Sequence, residues 1–129
     1  MTALLDRFHG LVPGWDIRKV SKECLCDSVA LKADYLGEIL HAFRSRDEYI
    51  TWVRQHTRSS GNLRDTTAVE TLAAAYLKIL FPDLNSVDPG AFRDECLEPA
   101  KELRKRIRRQ MAVLDEEYSE DLAEIEVHL

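Results

Sequence analysis

Apolar side chains recur at every third or fourth position along most of the chain, a spacing that places them on one stripe of an amphipathic α-helix. The spacing predicts a helix over residues 29–45 and a second helix over residues 46–57. Residues 58–62, with the sequence RSSGN, are typical of a turn, and Asn62 or Asp65 is suited to cap the helix that follows. Successive helices are therefore expected from residue 29 onwards.

Prolines mark the remaining helix boundaries. Pro82 should end the helix before it, because proline has no N–H to donate and disfavours helical geometry in the preceding residue. Asp88 followed by Pro89 is typical of a helix start, with an N-cap and a proline at the first helical position. The last long helix carries apolar residues at helical spacing, and Pro99 should kink or break it. A further short helix is expected at residues 3–8.

Together these elements predict an all-α domain, a small bundle of four or five helices with short connections. The sequence AEIEV at residues 123–127 alternates like a strand, and the chain shows no obvious partner strand. Three parts are expected: residues 1–28 with a short helix and irregular chain, residues 29–114 as a helical domain, and residues 115–129 as an acidic tail.

Composition argues against a membrane-spanning protein and against one stabilised by a set of disulfides. The 129 residues carry a formal net charge of −5, and their apolar runs stop well short of the roughly 20 residues that span a bilayer. Three cysteines, an odd number, cannot complete a set of disulfides, so we expect a cytoplasmic protein without a membrane segment. Cys24 and Cys26 are too close together for an ordinary zinc hairpin, and no metal site is predicted.

Motifs that would make the chain a self-contained enzyme are missing from its sequence. No G-x-x-x-x-G-K-[ST] phosphate loop, no G-x-G-x-x-G dinucleotide motif and no G-x-S-x-G nucleophile elbow occurs. The four histidines are scattered and lack the spacing of metal ligands. We therefore expect no enzymatic activity and no cofactor for the chain on its own.

Charge is segregated in the C-terminal part of the sequence. Residues 101–109 contain six basic residues and one acidic residue, whereas residues 115–126 contain seven acidic residues and no basic one. Three interpretations of the basic segment stay open: a solvated helix face, a contact with an acidic surface such as the tail, or a lining for nucleic acid. In the third case the phosphate contacts would come from Arg104, Lys105, Arg108 and Arg109, without sequence readout.

Four sequence segments in order resemble a known family. They are LLDRFHGLVPGWDI, KADYLGEILHAFR, NLRDTTAVETLAAAYLKILFP and CLEPAKELRKRIRRQM with a following EIEV, so the resemblance covers roughly residues 3–127. The family is that of the Lon-like proteins called BrxL, from the BREX phage-defence systems, and their Lon-related relatives. It implies an AAA+ ATPase core similar to that of minichromosome-maintenance helicases, followed by a helical lid and a Lon-protease-like domain.

The resemblance gives two arginines a possible role at an ATP site. The LLDRF stretch is similar to a short motif that presents an arginine finger to the ATP of a neighbouring ring subunit, which makes Arg7 the candidate finger. Arg64, in the sequence NLRD at a helix start, looks like the lid arginine termed sensor 2, with Arg58 as a less suitable substitute. The alternatives are a surface arginine for Arg7 and, for Arg64, an ion pair with Asp65 or another local carboxylate.

The resemblance also implies that the chain is a piece of a longer protein. Residues 1–28 would then be the end of the ATPase core with its connection, residues 29–114 the lid, and residues 115–129 a tail leading to a further domain. ATP would bind only in that context, together with other ring subunits and the adjoining domains. Two other functions remain open: a free-standing helical module that binds a protein partner, and a small helical domain that contacts DNA.

Overall fold

Helices dominate the computed structural model, which describes residues 2–25, 27–122 and 124–128. Within these residues the elements are α1 (Thr2–Leu5), α2 (Ala33–Phe43), α3 (Glu48–His56), β1 (Thr57–Ser59), α4 (Leu63–Leu80), α5 (Pro89–Phe92), α6 (Glu98–Leu114) and β2 (Ile125–Val127). Short 3₁₀ turns occur at Gly14–Asp16, Lys22–Cys24 and Leu84–Ser86, and a π-helical turn at Arg93–Leu97. The predicted all-α class with a short strand-like tail is confirmed.

The chain divides into two compact units. One consists of Met1–Leu11 and Glu48–Leu129, and it contains the hydrophobic core. The other consists of Val12–Asp47 and contains α2. We call them the core unit and the α2 unit.

The interior of the core unit is built from α3, α4 and the consecutive helical elements from α5 to α6, together with Ile125 of β2. The small side chains Ala73 and Ala74 of α4 are buried, so that neighbouring helices can approach the α4 backbone closely. The Tyr49 hydroxyl of α3, also buried, donates a hydrogen bond of 2.9 Å to the Pro82 carbonyl. The other members of the buried cluster are Val53, Val69, Leu77, Phe92, Cys96, Leu97, Ala100 and Ile125.

Helix boundaries follow the capping signals of the sequence. The Asn62 side-chain oxygen accepts a hydrogen bond from the Asp65 backbone N–H at 2.9 Å, which confirms Asn62 as the N-cap of α4. Asp88 caps α5 in the same way through the Ala91 N–H at 2.8 Å. The helix α4 ends at Leu80, before the proline.

The interruption expected at Pro99 takes the form of a π-helical turn. The turn covers Arg93–Leu97 and passes directly into α6, whose first turn contains the proline. Pro99 has no N–H to donate to a carbonyl of the preceding turn. Widening that turn therefore loses few backbone hydrogen bonds. The helical path from α5 to α6 is therefore continuous but locally widened.

The strand-like tail has a partner inside the chain. β2 pairs antiparallel with β1, with Thr57 opposite Val127 and Ser59 opposite Ile125. The expectation of no partner strand was wrong, because β1 has the polar sequence TRS and reveals itself only through its backbone hydrogen bonds. Ile125 is buried, so the pairing brings the tail onto the hydrophobic core.

The helix of the α2 unit begins later than the spacing predicted. Lys32 is in an extended conformation, so α2 starts at Ala33 and not near residue 29. None of its eleven residues, all of which the structure describes, is buried. The apolar stripe predicted for this helix is accordingly exposed at Tyr35, Leu36 and Leu40.

Among the described residues, no helix combines the length and the apolar character needed to cross a membrane.

The cap of α5 supports a prediction about stability. Replacing Asp88 with alanine leaves the Ala91 N–H without its acceptor, and we expect the free energy of unfolding to fall by about 1 kcal/mol. Urea unfolding followed by circular dichroism measures the change. The control is Asp88→Asn, which keeps a side-chain oxygen as acceptor and should lose less than half as much; equal losses in both variants would contradict the capping role.

Candidate functional site

A shallow cleft of about 290 Å³ on the core unit brings the two sequence-predicted arginines together. Arg7 lies in the turn after α1 and is exposed, and Arg64 is the second residue of α4, with a side chain that is 62% exposed. The remaining lining comes from Asp6, His9, Leu63 and Thr67. Two arginine residues far apart in the sequence therefore border one open space.

The N-terminus of α4 adds to the positive character of this cleft. Leu63 and Arg64 belong to the first turn of an 18-residue helix, where unpaired backbone N–H groups and the helix dipole favour negative charge. The Asn62 side chain accepts the Asp65 N–H, and its backbone carbonyl accepts the Thr66 N–H. An anion in the cleft would thus meet a helix N-terminus as well as two arginine side chains.

Asp6 is the negative group of the cleft. Its carboxylate accepts hydrogen bonds from Arg64 on one oxygen and from Arg104 Nη2 on the other, the latter at 2.7 Å. Partial burial raises the pKa of Asp6, but the hydrogen bonds from Arg64 and Arg104 outweigh it, so the pKa lies below its ordinary value. Asp6 is therefore charged at neutral pH and holds Arg64 at the cleft.

Arg104 lies beneath the cleft and is completely buried. Its Nε donates to Asp65 Oδ1 at 2.7 Å, and its Nη1 donates to the backbone carbonyls of Asp6 at 3.1 Å and Phe8 at 2.6 Å. The structure thus places Arg104 inside the protein and not on the surface that a DNA contact requires. Its burial follows from its position on the buried stripe of α6.

The other basic residues of the predicted DNA face differ in exposure. The Arg108 side chain is 12% exposed and lies 3.3 Å from Asp65 Oδ2. Lys105 donates a hydrogen bond of 2.8 Å to Glu102, while Arg109 is exposed. Arg104, Lys105 and Arg108 are therefore engaged by carboxylates of the chain itself, and the basic segment does not form one continuous open surface.

Sequence reasoning missed Asp6 and Asp65 as the partners of Arg104. A signal was present, because Ala100, Arg104 and Ile107 follow one another at steps of four and three residues along the apolar stripe of α6. An arginine on such a stripe needs carboxylate or carbonyl partners when it is buried. Which carboxylates would supply them depends on the tertiary fold.

The cysteines and the possible metal ligands of the described residues form no further candidate site. Among the described residues no group of three or more His, Cys, Asp or Glu side chains could hold a metal ion. Cys26 lies outside the described residues, and Cys24 is exposed. Burial, with a smaller contribution from Glu95, raises the pKa of the Cys96 thiol to about 11, which keeps it protonated at neutral pH.

Comparisons with known proteins agree on one family. Residues 1–124 match the family model described as "Lon-like protease BrxL-like, ATPase domain". The chain is 34% identical over 119 residues to a Lon-like protease BrxL from Escherichia coli O9:H4 (strain HS), a match that covers 88% of this chain and 16% of that protein. A Lon-like protease BrxL from Bacillus cereus (strain H3081.97) is 30% identical over 112 residues, covering 85% and 16% respectively. The chain thus spans less than a fifth of the length of these two relatives.

Asp6 makes the stability of the core unit depend on pH. Because its pKa is lower in the folded than in the unfolded chain, the unfolded chain binds more protons in acid, and the stabilisation by Asp6 is lost as the pH falls below about 4. We expect Asp6→Asn to lower the free energy of unfolding by about 2 kcal/mol at pH 7 and by progressively less as the pH falls toward 3. Urea unfolding of both proteins between pH 7 and pH 3 measures the difference.

The matched control for this experiment is Asp94→Asn. Asp94 also pairs with an arginine, Arg93, but both side chains are more than half exposed, so the pair contributes little. The difference between the control and the unmodified chain should vary little with pH. A loss for Asp6→Asn that stayed constant from pH 7 to pH 3 would contradict the role of the Asp6 charge.

Proposed function

Because the chain belongs to the BrxL-like ATPase-domain family of Lon-like proteins, we propose that it is the helical lid region of an ATP-hydrolysing protein and presents Arg7 and Arg64 to the phosphates of one bound ATP. Arg7 would act as an arginine finger and Arg64 as a nucleotide sensor. The observation that carries the proposal is the single cleft that both arginines border.

The chemistry of the cleft suits phosphate. A guanidinium stays charged at any physiological pH, and its planar donors match two oxygens of a phosphate group at once. In phosphoryl transfer the equatorial oxygens of the transferred group carry the negative charge, and an inserted arginine stabilises it. Arg7 is exposed, and Arg104 binds the carbonyls of the residues before and after it. The Arg7 side chain can therefore extend out of the cleft from a fixed backbone.

The remaining parts of the ATP site would come from outside the chain. The sequence contains no phosphate loop to bind the nucleotide, so the chain on its own would bind no ATP. In the proposed assembly the loop belongs to an ATPase core on another subunit of a ring, and Arg7 completes that site in trans. The adjoining ATPase and Lon-like domains and the neighbouring subunits are the expected partners, and phage defence is the expected biological setting.

Asp6 suggests how Arg64 would sense the nucleotide. A phosphate that binds Arg64 must compete with the Asp6 carboxylate, which holds the same guanidinium in the absence of an anion. Since Asp6 also binds Arg104 of α6, an exchange of partners at Arg64 changes the charge balance around a second helix. Nucleotide state would reach α6 through this shared carboxylate.

The two alternative functions have less support. A free-standing interaction module would show a complete reading frame of this length, whereas the proposed lid requires an in-frame phosphate loop upstream, so the gene around the segment separates them. A DNA-contacting domain would need basic side chains open to phosphate, and three of the four candidates are paired with carboxylates or buried.

Substitutions of the two arginines test the proposal in the full-length ATPase. We expect Arg7→Ala to lower kcat for ATP hydrolysis by about a thousandfold, because the charge that develops in the transition state loses its partner. Arg64→Ala should lower kcat/KM by about tenfold, the effect of one charge-assisted hydrogen bond. Steady-state phosphate release measures both. The control Arg93→Ala, which removes an exposed arginine that lines a different cavity, should change neither constant more than twofold.

A mixing experiment tests whether Arg7 acts in trans. Subunits that carry Arg7→Ala are combined with subunits whose phosphate loop has been inactivated, and each variant alone has little activity. Sites formed between the two kinds of subunit can pair an intact loop with an intact Arg7, so activity should return in the mixture. No recovery, or an Arg7→Ala variant with unchanged turnover, would exclude the in-trans finger.

A further inference from the structure

We infer that Arg104 is the positioning residue for Arg7, an inference that rests on the proposed function of Arg7. Arg104 does not border the cleft and is fully buried, so it has no direct access to a nucleotide. It acts through the backbone of the segment that carries Arg7. The structure of its contacts shows how.

One nitrogen of Arg104 holds the chain on both sides of Arg7. Nη1 donates to the carbonyl of Asp6, the residue before Arg7, and to the carbonyl of Phe8, the residue after it. Nη2 adds a bond of 2.7 Å to the Asp6 side chain. The carbonyls of the residues before and after Arg7 are thereby tied to one rigid group, which fixes the backbone from which the Arg7 side chain extends.

The same guanidinium links Arg7 to the element that carries Arg64. Arg104 Nε donates to Asp65 Oδ1 at 2.7 Å, and Asp65 follows Arg64 in the first turn of α4. Asp65 is itself held by the Asn62 side-chain amide at 2.6 Å. Arg104 therefore sets the spacing between the two arginines that the proposed function requires in one site.

Close packing on α6 reinforces this arrangement from a second direction. The Leu11 N–H donates to the Leu103 carbonyl at 3.3 Å. A Cβ atom added to Gly10 would lie 2.7 Å from Leu103 Cβ and 3.3 Å from Leu72 Cδ1, so the segment meets α6 at a distance that only glycine allows. Widening this contact would shift the segment that carries Arg7 without replacing any member of the ion pairs.

Lysine cannot replace arginine in this role. Arg104 uses Nε, Nη1 and Nη2 in one plane to bind groups from two elements at fixed angles. A lysine ammonium keeps the positive charge between Asp6 and Asp65, but its donors lie on a single atom and cannot reach all of these acceptors at once. Arg104→Lys therefore separates the positioning geometry from the charge.

The test measures ATP hydrolysis by the full-length protein in two backgrounds. With Arg7 present, we expect Arg104→Lys and Gly10→Ala each to lower kcat by about tenfold to a hundredfold, because a misplacement of about 1 Å has effects of this size. KM for ATP should stay within about twofold. With Arg7→Ala already introduced, each change should lower kcat by no more than about twofold, since the group they position is gone.

Two controls separate positioning from a general loss of structure. Lys101→Met removes another basic residue of α6, one that binds Glu98 at 2.6 Å, and it should leave kcat unchanged in both backgrounds. Thermal unfolding of every variant shows whether the protein folds. Gly10→Ala replaces no charged residue, so it tests the placement of the Arg7 segment on α6 even if Arg104→Lys does not fold.

The outcomes distinguish the inference from the function on which it rests. If Arg7→Ala lowers turnover and the Arg104→Lys and Gly10→Ala losses are the same in both backgrounds, Arg104 is only structural and the positioning role is overturned, while the finger role stands. If Arg7→Ala leaves turnover unchanged, both are overturned. Loss of the effects in the Arg7→Ala background supports the positioning role.

Discussion

The hydrogen bonds and ion pairs of the buried Arg104 guanidinium are the interaction on which the geometry of the cleft depends. Removing an arginine from water is costly, and the cost is offset only because carboxylates and carbonyls from two other elements supply acceptors at about 3 Å or less. Those acceptors belong to the segment after α1 and to the first turn of α4. The placement of three separate parts of the chain is thus fixed by the need to satisfy one side chain.

Local signals explain why much of the fold was predictable. Asn62 and Asp88 cap their helices through backbone groups three residues away, and Pro82 follows a helix that ends two residues earlier. Such contacts are determined by neighbours in the sequence. The pairing of β1 with β2 is different, because it depends on backbone groups of the polar residues 57–59, whose side chains give no strand pattern.

The candidate site was predictable only in part, because its residues could be named from the sequence but not their arrangement in space. A resemblance singled out Arg7 and Arg64 one at a time, but their closeness arises from a tertiary contact that the sequence does not display. The basic segment 101–109 shows the limit of counting charges: helical geometry sends Arg104 into the interior and leaves Arg109 exposed. Composition describes a segment, whereas the orientation of each side chain decides what it can bind.

The bond between Asp6 and Arg104 also has a consequence for the order of folding. It joins residues 98 positions apart, whereas the Arg54–Glu70 contact between α3 and α4 spans only 16. Closing the longer loop costs about 1.6 kcal/mol more chain entropy. We therefore expect helix pairs close in sequence to form first and the segment with Arg7 to dock onto helices already assembled. On this expectation, the helical part of the hydrophobic core forms before the cleft.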